Sequence, residues 1–106
     1  MSHQLQPQKL ACLSAHLEDL FLKLSCRGPA APAPELADEI AATAGEVMVE
    51  LAAHREDELV RQVIEDARSL REAVRTVYPE PARVAESGRT LVSDLELVLR
   101  EDRRAA

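Results

Sequence analysis

Aromatic side chains are almost missing from this chain: 106 residues hold one phenylalanine, Phe21, one tyrosine, Tyr78, and no tryptophan. Without them there is no stacking platform for exposed bases and no cage for a quaternary cation. The core must then be assembled from Leu, Val, Ile and Ala, which favours aliphatic bundle packing. Long apolar runs are missing as well. None approaches the ~20 residues that span a bilayer, and after Met1 the opening is polar through Lys9 apart from Leu5 and Pro7, unlike a secretory leader. No membrane insertion and a cytoplasmic location are the expectations.

Cysteine is scarce. Cys12 and Cys26 are the two present; along an intact helix they stand about 21 Å apart at 1.5 Å per residue, beyond disulfide reach. Unpaired thiols suit a reducing compartment. Cys12, His16 and Asp19 share one helix flank, but no second Cys/His pair supplies the remaining ligands of a defined metal site. An ordinary polar flank is the expectation, with no metal and no cofactor. Glu50 and His54 are four apart and occur once, against the paired Glu-x-x-His of dinuclear bundles. Neither His16 nor His54 is followed by the Lys-Gly of histidine phosphotransfer domains. GxSxG, HExxH, a phosphate-cradling glycine loop and CxxC are all lacking. The acids read as lying on solvent-type faces, without the apolar surroundings that raise a carboxyl pKa for acid-base work. No enzyme is expected.

What is present is helix. One domain, 1–106, is all that the length supports, with a single modest core. The chain is organised around residues 35–78, which contain no proline, lie between Pro34 and Pro79, and hold one glycine, Gly45. Before them, Pro7 suits a first helical position and Leu10, Leu13, Leu17, Leu20 and Leu24 recur at heptad spacing, with Phe21 widening the seam. Gly28 and Pro29 stop that helix, and residues 28–34 form a proline-rich loop.

Within 35–78 the apolar pattern changes phase. Leu36, Ile40, Ala44, Val47 and Leu51 share one face; Leu59, Val63, Ala67, Leu70, Val74 and Val77 share another, roughly 140° away at 100° per residue. Five polar residues, His54 to Glu58, separate them. Either the chain turns there or a single helix of roughly 65 Å shows different faces to different neighbours. The lack of Gly, Asn or Pro favours continuity, whereas the phase break and the four similar helix lengths favour the turn. Pro79 and Pro81 end this stretch, and Val84, Gly88, Leu91, Leu95 and Val98 form the last seam, with Gly88 permitting close approach of another helix. The sequence thus predicts an all-α antiparallel four-helix bundle with segments at 7–26, 35–54, 57–78 and 81–102 and a frayed charged tail at 101–106. The alternative is three helices, with one long central helix at 35–78 covered by a second copy.

Charge is uneven. The net charge is −6, and residues 35–58 carry eight acids against one base. That balance disfavours non-specific nucleic-acid binding. Arg61, Arg68, Arg71 and Arg75 nevertheless form a stripe, with Asp57, Glu65 and Glu72 at ion-pair spacing from it. Leu22, Met48, Val49, Ile64 and Leu97 lie off the main seams as apolar surface in excess of a minimal bundle. The function expected is therefore a small non-enzymatic interaction protein, an adaptor, chaperone or regulatory subunit that packs helix faces against itself, as a homodimer, or against a partner protein. Its contact residues would be Met48, Val49, Ile64, Arg61, Arg68, Arg71 and Arg75. On a continuous central helix, Glu35, Glu39, Glu46 and Glu50 would meet the arginine stripe of a second copy. The alternative is a nucleic-acid-binding regulator using that stripe.

Overall fold

A computed structural model describes residues 6–26, 33–77 and 79–105, and these form four helices, α1 (Pro7–Cys26), α2 (Pro34–Leu51), α3 (Glu58–Val74) and α4 (Pro81–Ala105), with no strand among them. α1 packs on α2 and α4, and α3 packs on α2 and α4, while the diagonal pairs do not meet. The short links from α2 to α3 and from α3 to α4 make neighbours antiparallel. Lys9 at the start of α1 reaches Glu50 near the end of α2, Nζ to Oε1 at 2.7 Å, as antiparallel packing requires.

The central stretch turns, so the long-helix alternative is overturned. α2 tightens into a 3-10 turn at Ala52–His54, and Asp57 begins a new helix. The Asp57 carboxylate accepts from the backbone N–H of Leu59 at 2.9 Å and of Val60 at 3.4 Å, satisfying two of the donors that a helix start leaves free. The missing Gly, Asn or Pro is no obstacle, because an aspartate cap restarts the helix without them.

The expected seams form the core. Leu10, Leu13, Leu17, Leu20, Leu24, Ile40, Ala44, Val47, Leu51, Val63, Ala67, Leu70, Val74, Val84, Leu91, Leu95 and Val98 are buried. Leu36 and Leu59 are half-buried at the ends of their helices. Val77 departs from expectation: α3 stops at Val74, Arg75 leaves helical geometry, and Val77 is 84% exposed. A proline ring crowds the carbonyl four residues before it and disfavours helical geometry in the preceding residue, so Pro79 costs α3 its last turn. In the other direction α4 runs to Ala105, past the end expected at 102, and Arg, Glu and Ala are strong helix formers. Most of the 28–34 loop lies outside the described residues; Pro34 opens α2 in the first helical position.

Candidate functional site

Three surfaces or clusters stand apart from the core. The first runs along the outer face of α2. Val49, Arg71 and Arg75, three of the residues singled out by sequence, line a shallow groove of about 600 Å³ together with Lys9, Asp38, Glu46 and Glu50. Gly45 is part of its wall, and a Cβ built there would meet nothing within 4 Å. The bond and charge of Glu50 hold the Lys9 ammonium above its ordinary 10.5.

Parts of the acidic and basic stripes, Glu46 and Glu50 with Arg71 and Arg75, therefore border one groove inside one chain. The antiparallel register between two copies loses its basis, because it needed a continuous helix. Arg68 is tied to Glu65 at 2.8 Å, while Asp57 serves as a cap rather than as a partner for Arg61. Arg61 is exposed and does not border the groove. Met48 is half-buried against the core and Ile64 is buried, so these two do not form the exposed patch expected of them. The reason lies in the width of the buried face of α3. Contact with both α2 and α4 buries Val60, Val63, Ile64, Asp66, Ala67, Leu70, Ala73 and Val74, so a residue well off the seam is still inside.

The second surface lies between α1 and α4. The rings and methyls of Phe21, Leu22, Pro81, Ala82 and Ala85 line a mostly apolar groove of about 700 Å³, rimmed by Glu18 and Arg89. It continues along α4 past Gly88 and Val92, with Phe21 shared by both parts. Leu22 is 63% exposed. Phe21 sits directly over Gly88, so closely that an added Cβ at Gly88 would collide with the ring. Close approach at Gly88 was legible from its place on the apolar seam. Its occupant is a single aromatic ring rather than a helix backbone.

The third is a carboxylate pair that sequence reasoning passed over. Asp66 is on α3 and is 8% exposed, contrary to the expectation that the acids lie on solvent-type faces. Gln62, one turn earlier, donates from Nε2 to Asp66 Oδ1 at 3.1 Å. Oδ2 is buried with no donor. Asp94 on α4 is within hydrogen-bonding reach. Burial first, then the neighbouring Asp94 carboxyl, raises the Asp66 carboxyl from its ordinary 3.8 to about 7; Gln62 opposes the rise, and the charges of Asp94 and Glu65 add to it. A signal was available in the sequence: on the helical wheel Asp66 falls about 40° from Leu70 and about 60° from Val63, at the edge of the seam that both belong to.

The flank of Cys12, His16 and Asp19 does not converge. Cys12 is free and exposed, His16 Nε2 lies 3.2 Å from Glu39 Oε1 on α2, and Asp19 pairs with Lys23 one turn on at 3.2 Å. Among the described residues no three His, Cys, Asp or Glu side chains are grouped to hold a metal, and no helix is long and apolar enough to cross a membrane. Compared with protein families, curated proteins and solved structures, the chain matches none, so its geometry carries the functional argument alone.

Proposed function

We propose that the chain is a small non-enzymatic interaction protein, an adaptor, chaperone or regulatory subunit that packs helix faces against a second copy of itself or a partner protein, and that the α1–α4 groove is the face it uses. The observation that supports this reading is the exposed apolar lining formed by Phe21, Leu22, Ala82 and Ala85, which a helix ridge could fill. A second copy is the first occupant to consider. Glu18 and Arg89 both rim the groove, so a two-fold contact would set Glu18 of one copy against Arg89 of the other. Exposed pairs of that kind contribute about 0–1 kcal/mol each, enough to orient the contact, while the apolar lining supplies the affinity.

Sedimentation equilibrium at micromolar concentration, at low and high salt, tests this reading. The expected result is a dimer that persists in salt and that Leu22→Arg reduces to monomer without altering the melting curve. The nucleic-acid alternative is tested by titrating duplex DNA and RNA at increasing salt, where phosphate contacts would give a negative log-log slope. It is the weaker reading, because Arg71 and Arg75 share their groove with Asp38, Glu46 and Glu50, and Arg68 is already paired.

A further inference from the structure

Asp66 combines three features that do not ordinarily coexist: more than nine-tenths burial, one oxygen satisfied by Gln62, and a second oxygen with no donor. A buried acceptor left unmatched is costly, and ionised carboxylates only accept. The group from α4 within reach, Asp94, is itself a carboxyl. If both are ionised, two negative charges face each other across a helix seam; if one holds a proton, it becomes a donor and the other its acceptor. A single proton therefore converts an unfavourable contact of the seam into a hydrogen bond.

We propose that Asp66 and Asp94 hold one proton between them, and that this proton is a switch on the α3–α4 seam: bound, it fastens α4 to α3; released, it leaves two carboxylates opposed and loosens α4. The surrounding charges favour retention. On α3 itself Glu65 adds negative charge, on α4 the facing group is Asp94, and α2, packed against α3, contributes no charge acting on Asp66. Among the described residues no lysine, arginine or histidine forms an ion pair with either aspartate. The neutral donor Gln62 holds Oδ1 in place and directs the remaining oxygen to its own requirement for a proton. The pair is also separate from the α1–α4 groove, so the switch does not depend on that groove being a docking face.

The test is a carbon-13 titration of the aspartate side-chain carboxyls in the intact wild-type chain, with thermal melts at pH 5 and pH 8.5 at fixed ionic strength. Asp66 Cγ is expected to titrate near neutrality. The wild-type melting temperature is expected to fall between the two pH values, and Asp66→Asn should remove most of that fall and melt above wild type at pH 8.5. Asp94→Asn should return the Asp66 midpoint towards the ordinary carboxyl range. An Asp66 midpoint in that range in the wild type would overturn the proposal, as would an Asp66→Asn melt with undiminished pH dependence. Stabilisation by millimolar magnesium or calcium at pH 8.5, with a titration that shifts with the metal, would also overturn it by assigning the pair to a cation instead. Should Asp66→Asn fail to fold, the wild-type carbon titration still decides.

Discussion

The two flanks of α4 are closed in opposite ways. Towards α3, a polar pair lies within the seam: buried Asp66 faces Asp94, with Gln62 holding one oxygen. Towards α1 the contact depends on shape: Phe21 occupies the space left by Gly88, and beyond it the surface opens into an apolar groove. The first seam is sensitive to protonation and its polar pair is largely covered. The second is neutral at its closest contact and open to solvent. One helix can thus present a face regulated by chemistry and a face available for packing, because positions such as Asp94 and Gly88 fall about 120° apart around it.

The largest expected effect removes the core that both seams share. Leu17 is fully buried at the middle of α1, and Leu17→Asp places an unpaired charge there, at a cost of about 3–5 kcal/mol. Loss of the cooperative far-UV melt checks it, and a variant with the wild-type melting temperature would mean that α1 is not packed.

Next in size is the response of the α3–α4 seam to pH. The Asp66 carboxyl sits at about 7 in the folded chain against an ordinary 3.8, so the folded state retains a proton that the unfolded state releases. Stability from this source is fully present below 3.8 and is lost as pH rises through about 7. Its upper bound is roughly 4 kcal/mol, less to the extent that water reaches the half-buried Asp94. Denaturant midpoints at pH 5 and pH 8.5 should show lower stability at the higher value, the reverse of a chain whose carboxylates are salt-bridged.

The α1–α4 seam should respond to volume instead. Gly88→Ala forces the Phe21 ring from its seat and should destabilise by about 1 kcal/mol, the overpacking cost exceeding the helix-propensity gain. In a Phe21→Ala background the same change should stabilise by a similar amount. A double-mutant cycle reads this reversal directly, and additive effects would mean that ring and glycine are independent.

The helical frame was legible because it follows from spacing. Leu10 to Leu24 on α1 and Val84 to Val98 on α4 repeat at heptad intervals, and each of those aliphatic positions is buried. The phase break at His54 to Glu58 correctly marks a turn, but the signal that decides it, Asp57 as a helix cap, acts through side-chain bonds to the backbone N–H groups of Leu59 and Val60 rather than through periodicity. The site residues were less legible because exposure depends on how many neighbours a helix has. Ile64 looks surplus on a single face and is inside because α3 has partners on two sides. Asp66 looks like another acid until the matching carboxyl of α4 is placed opposite it, twenty-eight residues along the chain. Leu22 was recognisable as surplus apolar surface, whereas Ala82 and Ala85 become groove walls only when α4 is set beside α1.

The smallest effect concerns the joint between the hairpins. Asp57→Ala removes the two bonds to Leu59 and Val60 and should cost about 1 kcal/mol, read as a shift in denaturant midpoint that is nearly independent of pH between 5 and 8.5. That flat response would contrast with the wild-type response assigned to Asp66, and a strongly pH-dependent cost would place titration at the turn rather than at the seam.

We propose the α1–α4 groove as the face through which the chain associates. Sedimentation equilibrium of the wild type beside Leu22→Arg tests it most directly. The predicted result is a micromolar dimer for the wild type and a folded monomer for the variant, with little change between low and high salt. A wild-type monomer at every concentration, or a dimer untouched by Leu22→Arg, would contradict it.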